Sequence, residues 1–216
     1  MVPQDTAFFR DWNPFRHFKS VVLPNLQTAR PKKHMRILSA GCSTGQEAYS
    51  MAMAIRDEAR TLTGWKAEIV AVDLSEQVID AAQQGTYSQF DIQRGLPIRH
   101  LMTYFSKEDD RWRISPGVSS MVTFKTWNLL EELYPLGKFD IVLCRNVLVY
   151  FDLQTKIDAL QKIARVLTDD GVLYLGLEDA ISGATKQFRP VVPETGVFAI
   201  ERAGHPSSDS LAIKPV

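Results

Sequence analysis

LSAGCSTGQEAYSMAMAI, residues 38–55, is the stretch that decides the fold. It begins as a short apolar strand, passes through a turn of small residues at 40–45, and then becomes helical. The turn lacks the lysine of a phosphate-binding loop, and Gly41 and Gly45 do not have the G-x-G-x-x-G spacing of a dinucleotide-binding turn. The stretch therefore predicts a strand-to-helix turn whose backbone approaches a ligand other than a phosphate.

Strand and helix patterns alternate along the chain around this turn. Apolar runs predict strands at 36–40, 68–72, 121–126, 139–144 and 172–175, and helical spacing predicts helices at 46–60, 75–83 and 153–167. The segments 188–192 and 196–201 predict a closing β-hairpin. Alternation of this kind is typical of an α/β fold with a mostly parallel sheet covered on both faces.

A single domain is expected to occupy residues 1–203. The alternation is interrupted at about 97–120 by a short helical stretch, a charged turn (KEDD) and two short strand candidates, at 112–114 and around Val118. We interpret this segment as an insertion that carries a small antiparallel β-subdomain. Residues 204–216 are predicted to form a disordered tail.

Composition argues against several classes of protein. The 25 Lys and Arg balance 25 Asp and Glu, so no general attraction to nucleic acid or membranes is expected, although residues 1–36 are basic. Cys42 and Cys144 have no Cys or His companions, so no metal site is expected. Because no apolar run reaches about 18 residues and no signal-like segment is present, a cytoplasmic protein without membrane insertion is favoured.

Polar residues follow the predicted parallel strands at their carboxyl ends, where open α/β sheets bind ligands. In strand order they are Gly41 and Glu47, then Asp73, then Asn128, then Arg145 and Asn146. An acidic residue after the second strand can accept hydrogen bonds from both ribose hydroxyls. An asparagine offers a donor and an acceptor to an adenine edge. The strand ends therefore describe a nucleoside pocket.

Glu47 indicates which nucleoside is expected. It lies at the start of the first helix, where the phosphates of a dinucleotide would require positive potential. A carboxylate there disfavours a phosphate but attracts an ammonium or sulfonium group. The pattern therefore favours S-adenosylmethionine over NAD, FAD or ATP.

Each of these residues also has a purely structural interpretation. Thr44 and Glu47 match a capping box, in which Glu47 would only satisfy backbone donors. Asp73 could be a helix N-terminal charge, and Asn128 could be a turn residue. Since these residues fall on consecutive strand ends, a shared pocket is favoured over independent structural roles.

Five segments follow one another in a specific order: TAFFRDWNPFRHF (6–18), AGCSTGQEAYSMAMAI (40–55), AVDLSEQVIDAAQQGTY (71–87), VTFKTWNL (122–129) and FDIVLCRNVLVYFD (139–152). In order and spacing, from about residue 6 to about 202, the chain resembles the CheR-type chemotaxis receptor glutamate methyltransferases of bacteria. The resemblance implies a class I S-adenosylmethionine-dependent, Rossmann-like fold with a seven-stranded sheet and a small β-subdomain. It also implies methyl transfer to glutamate side chains in the cytoplasmic helical region of chemotaxis receptors, with S-adenosylhomocysteine as product and no metal.

The resemblance implies roles for individual residues. The cofactor-binding candidates are Thr6, Arg10, Gly41, Glu47, Asp73, Asn128, Leu129, Arg145 and Asn146. Glu47 would bind the methionine amino group, and Asp73 the ribose. Arg10 and Tyr150 are the catalytic candidates, Arg10 to position the incoming carboxylate and Tyr150 near the transferred methyl group. Without the resemblance, Arg10 would be a polar position on an amphipathic helix, and Tyr150 could be a core aromatic residue beside Phe151.

No general base is required, because a glutamate with a pKa of about 4.3 is already ionised at pH 7. The four histidines, His17, His34, His100 and His205, are therefore interpreted as surface or packing residues.

The chain also departs from the family pattern. Only five residues precede Thr6, so the family's N-terminal helical domain is expected to be absent. Residues 176–179 (GLED) stand where the family has G-[HN]-S-E, and Gln4 and Gln46 replace an asparagine and an acidic residue. Two alternatives therefore stay open: a divergent S-adenosylmethionine-binding regulatory module, or a methyltransferase with another protein or small-molecule substrate. The acidic turn at 107–110 predicts no tethering of a receptor's C-terminal tail peptide.

Overall fold

The computed structural model describes residues 6–179, 185–192 and 195–201. Within these residues the main sheet has seven strands in the order β6-β2-β1-β7-β8-β10-β9. Its strands are β1 (His34–Ala40), β2 (Lys66–Asp73), β6 (Val122–Thr126), β7 (Phe139–Cys144), β8 (Leu167–Leu175), β9 (Phe188–Val192) and β10 (Val197–Ile200). All neighbouring pairs from β6 to β8 are parallel, and β10 is antiparallel to both β8 and β9. The predicted fold class is confirmed.

Helices cover both faces of this sheet. The α-helices of the described residues are α1 (Asn13–His17), α2 (Leu23–Ala29), α3 (Gln46–Asp57), α4 (Glu76–Gln84), α5 (Gln89–Gln93), α6 (Ile98–Tyr104), α7 (Pro116–Ser119) and α8 (Leu153–Val166). Among the described residues no helix is long and apolar enough to cross a membrane.

The two faces of the sheet follow from the alternation of side chains along each strand. Ile37 pairs with residues of β2 and β7 and belongs to the apolar cluster that contains α1, α2 and α3. Leu38, the next residue, belongs to the opposite cluster, which contains Leu160 and Ile163 of α8. Two separate apolar cores therefore cover the sheet, one on each face. Because neighbouring strands from β6 to β8 are parallel, their carboxyl ends lie at the same edge.

The N-terminal helical segment is fixed to the opposite edge of the sheet. α1 continues through a π-helical turn (Phe18–Val22) into α2. Arg30, the residue after α2, forms ion pairs with Asp140 on β7 (2.7 Å) and Asp170 on β8 (2.6 Å). We call residues 6–12, which precede α1, the N-terminal turn.

The N-terminal turn corrects one expectation from the sequence. Arg10 does not lie on an amphipathic helix, because α1 begins only at Asn13. Residues 8–12 instead form tight turns in which Phe9 (φ 49°) and Asp11 (φ 53°) adopt left-handed backbone conformations. Phe8 and Phe9 in this turn are both buried in the core.

A three-stranded antiparallel sheet lies between α4 and β6 in sequence. Within the described residues it has the order β3-β5-β4, with β3 (Thr86–Ser88), β4 (Phe105–Glu108) and β5 (Arg111–Ile114). The strand expected around Val118 is wrong, because Pro116 starts a short helix there. β3 and β4 were not predicted. Three residues after Gly85 are too few to show a period, and the sequence assigned the region of β4 to the short helical stretch and the charged turn.

Two element boundaries also differ from the sequence prediction. β8 begins at Leu167 rather than near residue 172, and its pairing with β7 is irregular between Phe139 and Ile141. α3 ends at Asp57 rather than at residue 60. The hairpin of β9 and β10 is confirmed, whereas the tail at 204–216 lies outside the described residues.

Candidate functional site

A cavity of about 880 Å³ opens at the carboxyl ends of β1, β2, β6 and β7. Every site residue named from the sequence lines it: Thr6, Arg10, Gly41, Glu47, Asp73, Asn128, Leu129, Arg145, Asn146 and Tyr150. The sequence did not single out Phe15, Ser43, Gln77 or Trp127, which also line the cavity. The volume lies within the range of small-molecule sites in proteins.

The turn after β1 forms the floor of the cavity. Gly41 has φ +74°, and a Cβ there would lie 2.4 Å from Cγ2 of Val147, so only glycine fits this position. Asp73 holds the turn in shape, because its Oδ2 accepts a hydrogen bond from the backbone N–H of Ser43 (2.9 Å) and its Oδ1 accepts one from that of Ser75 (3.2 Å). Asp73 thus does more than place a charge at the start of α4.

Glu47 is a buried carboxylate with polar partners across the site. Its Oε1 accepts a hydrogen bond from the hydroxyl of Ser39 (2.9 Å), and its Oε2 accepts one from Arg145 (3.3 Å). The capping-box interpretation is wrong, because Thr44 donates to Gln46 instead and the N-cap of α3 is Gly45, which provides no side-chain cap. Burial raises the pKa of Glu47 above its ordinary value, against the effect of Arg145.

This raised pKa predicts how ligand binding depends on pH. An ammonium ligand requires ionised Glu47, so affinity for S-adenosylmethionine is expected to fall as the pH drops through the raised pKa, at a higher pH than for an ordinary glutamate of about 4.3. The stability of the free protein runs the opposite way. The contribution of protonated Glu47 to the stability of the folded protein is fully present below the pKa that Glu47 has in the unfolded chain. It is lost as the pH rises through the raised pKa that Glu47 has in the folded protein.

Calorimetric titration with S-adenosylmethionine between about pH 8 and pH 5 checks this expectation. The Glu47→Gln variant provides the comparison, because its weaker binding should lose this step in the pH dependence. A step of equal size in both proteins would show that another group is responsible.

Arg145 is an enclosed charged group at the site, with a side chain only 3% exposed. Its guanidinium contacts Glu47 on one side and, through Nη2, the carboxylate of Asp11 (2.7 Å) and the backbone carbonyl of Arg10 (2.8 Å) on the other. The side chain therefore joins α3 to the N-terminal turn beneath the cavity.

The loop after β7 is held by a residue that the sequence did not predict. Asn146 adopts a left-handed conformation (φ 59°), and its N–H donates to Asp179. The same carboxylate, almost fully buried, accepts hydrogen bonds from the N–H groups of Val149 and Gly176, both at 2.9 Å. Burial raises the pKa of Asp179, while these three donors favour its charged form. The sequence did contain a signal for Asp179, because GLED ends in an acidic residue and the family motif at this position also ends in one.

Replacement of Asp179 by alanine is expected to lower the free energy of unfolding by about 2–4 kcal/mol, because three backbone donors lose their acceptor. The melting temperature should fall by roughly 5–15 °C. Glu178→Ala, which changes an exposed neighbour, is the control and should melt like the wild type. Equal melting temperatures for both variants would contradict this role for Asp179.

Tyr150 and Asn128 both line the cavity. Tyr150 ends a short 3₁₀ turn and is 49% exposed, so the interpretation as a core aromatic residue is wrong. Asn128 does make the turn expected of it, with Oδ1 accepting the N–H of Leu130 (2.9 Å), and it also lines the cavity. Its structural role and a ligand-binding role are therefore compatible.

The histidines within the described residues lie away from the cavity lining. His17 is buried and shares a hydrogen bond with the hydroxyl of Tyr174 (2.8 Å), and His100 contacts Asp57 (2.8 Å). His34 lies 3.6 Å from Glu68 at the start of β1. The described histidines are thus packing or surface residues, as expected, whereas His205 lies outside the described residues.

Comparison with known proteins agrees with this geometry. A family model described as CheR methyltransferase, SAM binding domain, matches residues 4–197. The chemotaxis protein methyltransferase Cher2 of Pseudomonas putida KT2440 is 40% identical over 92% of this chain and 74% of its own. Chemotaxis protein methyltransferase 1 of Pseudomonas aeruginosa PAO1 is 41% identical over the same shares.

A third relative is named for a different role. The probable biofilm formation methyltransferase WspC of Pseudomonas aeruginosa PAO1 is 30% identical over 100% of this chain and 52% of its own. The family match covers most of the chain, including every residue singled out at the cavity. The chain therefore belongs to the CheR methyltransferase family and is an S-adenosylmethionine-dependent methyltransferase.

Proposed function

We propose that this chain transfers the methyl group of S-adenosylmethionine to glutamate side chains of chemotaxis receptors. The observation that carries the proposal is the convergence of the predicted cofactor residues on one cavity, with Arg10 and Tyr150 in its wall. The names of the relatives at 40% and 41% identity support chemotaxis as the setting. The partner is the cytoplasmic helical region of the receptor, and the reaction takes place in the cytoplasm.

The residues at the cavity fit S-adenosylmethionine in their chemistry. Glu47 supplies a buried carboxylate for the methionine ammonium group, and Asp73 supplies acceptors for the ribose hydroxyls. Asn128 and Leu129 hold the adenine, one by hydrogen bonding and the other by apolar contact. Gly41 allows the backbone to approach, and the remaining walls come from Thr6, Arg10, Arg145 and Asn146.

When bound, the cofactor supplies a methyl group on a positively charged sulfur. The protein then has to align a carboxylate oxygen of the receptor with that methyl group and exclude water from the path. Arg10 attracts and positions the incoming carboxylate, and Tyr150 orients it at the rim. Arg10 must not bind the anion too tightly, because the carboxylate loses charge in the transition state.

Several finer features belong to the same proposal. Residues 1–203 act as one catalytic domain, with the small antiparallel sheet as its β-subdomain. This subdomain does not hold a receptor tail peptide, since the turn between β4 and β5 carries Glu108, Asp109 and Asp110. Although Glu108 pairs with Arg113 (2.7 Å), a C-terminal carboxylate would still meet the two aspartates. No metal takes part in the reaction.

The test is methyl transfer from methyl-labelled S-adenosylmethionine to receptor-rich membranes. Label that mild base releases as methanol identifies carboxyl methyl esters and supports the proposal. Membranes without chemotaxis receptors are the control and should acquire no base-labile label. If the protein binds the cofactor but labels neither preparation, receptor methylation by this chain is refuted.

A further inference from the structure

We propose that Asp11 is a positioning residue, which acts through Arg145 to hold Arg10 at the mouth of the cavity. The inference rests on the proposed function of Arg10 as the residue that positions the receptor carboxylate. Its basis is the set of contacts on both sides of Arg10. Asp11 itself lies outside the cavity lining, so we expect no direct contact between Asp11 and the cofactor.

The backbone around Arg10 is held in a conformation that it would not adopt alone. Phe9 (φ 49°) and Asp11 (φ 53°) both lie in the left-handed region, which is unfavourable for phenylalanine and better tolerated by aspartate. Two such residues on either side of Arg10 persist only when the surrounding structure enforces them. The direction of the Arg10 side chain therefore depends on contacts made by its neighbours.

On the Phe9 side, the enforcing contacts are with the core. The Phe9 ring is buried, lies parallel to Trp12 at 4.7 Å and contacts His100 at 4.7 Å. Its N–H donates to the hydroxyl of Ser50 on α3 (2.9 Å). These contacts fix the start of the turn, and the backbone N–H of Trp12 closes it by donating to the Phe9 carbonyl (3.2 Å).

On the other side, the support comes from Arg145. Its Nη2 donates both to the Arg10 carbonyl (2.8 Å) and to the Asp11 carboxylate (2.7 Å), and we call these two contacts the Arg145 clamp. Since Arg145 is buried while Asp11 is 43% exposed, the arginine is the fixed partner and the turn is the part that is held. The hydrogen bond of Arg145 to Glu47 links the clamp to the expected ammonium site.

The test compares the Asp→Asn substitution at two aspartates with left-handed backbone conformations, Asp11 and Asp109. Asparagine tolerates this backbone conformation, so Asp11→Asn removes the charge and leaves the turn intact. Asp109→Asn is the matched control, because Asp109 has the same φ of 53° on the exposed turn between β4 and β5. Asp11→Ala removes the acceptor entirely.

Four quantities are measured on the full chain: kcat for receptor methylation, the Kd for S-adenosylmethionine, the melting temperature and amide hydrogen exchange of residues 6–12. We expect Asp11→Asn to lower kcat about tenfold and Asp11→Ala more, since small displacements of a positioning group cost large factors in rate. The Kd should stay within about threefold, since we expect no direct contact between Asp11 and the cofactor. Exchange in the turn should become faster, while Asp109→Asn should match the wild type throughout.

A kcat for both Asp11 variants equal to that of the wild type would overturn the inference. So would a fall in melting temperature with an unchanged kcat, since that is the signature of a purely structural contact. A wild-type protein that methylates no receptor would refute the proposed function instead. Hydrogen exchange would then test the Arg145 clamp independently of activity. Faster exchange in the Asp11 variants would support the clamp, and unchanged exchange would contradict it.

Discussion

Replacement of Asp73 by alanine is expected to weaken the binding of S-adenosylmethionine by at least about 100-fold. Two hydrogen bonds from the ribose to a charged acceptor contribute about 1.5–3 kcal/mol each, and every 1.4 kcal/mol is a factor of ten in Kd. The loss should be larger still, because Asp73 also holds the N–H groups of Ser43 and Ser75 that shape the turn after β1. Isothermal titration calorimetry measures the effect.

The control for Asp73 is Asp80→Ala, which removes an exposed carboxylate from α4 outside the cavity lining. Its Kd should equal that of the wild type. Asp73→Asn adds a second comparison, since it keeps the shape of the side chain and loses only the charge. Binding by Asp73→Ala within a few-fold of the wild type would show that the ribose lies elsewhere.

Replacement of Arg10 by alanine is expected to reduce kcat for receptor methylation by about 100-fold, because an incorrectly placed reactant loses much of the rate advantage of preorganisation. The effect on cofactor affinity should be smaller, since Glu47 and Asp73 are the residues proposed to make the charged contacts with the cofactor. The measurement is initial rates of base-labile methyl transfer at saturating S-adenosylmethionine, together with a separate Kd. A large rise in Kd with an unchanged kcat would make Arg10 a cofactor ligand alone.

Arg16→Ala is the matched control for Arg10. Arg16 is an exposed arginine of α1, close in sequence to Arg10 but outside the cavity lining. If loss of any nearby positive charge slowed the encounter with an acidic receptor, both variants would be affected alike, and more strongly at low ionic strength. A specific role for Arg10 requires a defect that persists at high salt and is absent from Arg16→Ala.

The position of the site could be predicted because it follows from the sheet. Parallel strands bring their carboxyl ends to one edge, so Glu47, Asp73 and Asn128 had to be neighbours once the strands were recognised. The choice of an ammonium-binding rather than a phosphate-binding site followed from one charge at a helix start. Both inferences need only local sequence and the direction of the strands.

What the sequence could not give were contacts between distant segments. The pair of Asp11 and Arg145 joins residues 134 positions apart, and its geometry depends on left-handed residues that no composition rule places at Phe9 and Asp11. Asp179 was similarly noticed only as part of an altered motif, because its three backbone partners lie in a loop whose shape was unknown. The strand β3 was missed for a different reason, because it is too short to show a pattern in the sequence.

The long span of these contacts has a consequence for the chain as it leaves the ribosome. The N-terminal turn emerges first, yet its partner Arg145 and the acceptor Asp179 that holds the neighbouring loop are made much later. At about 5–20 residues per second, many seconds separate the two ends of this one pocket during synthesis. The pocket is therefore complete only after Asp179 has been translated, so newly made protein is expected to gain activity in one late step.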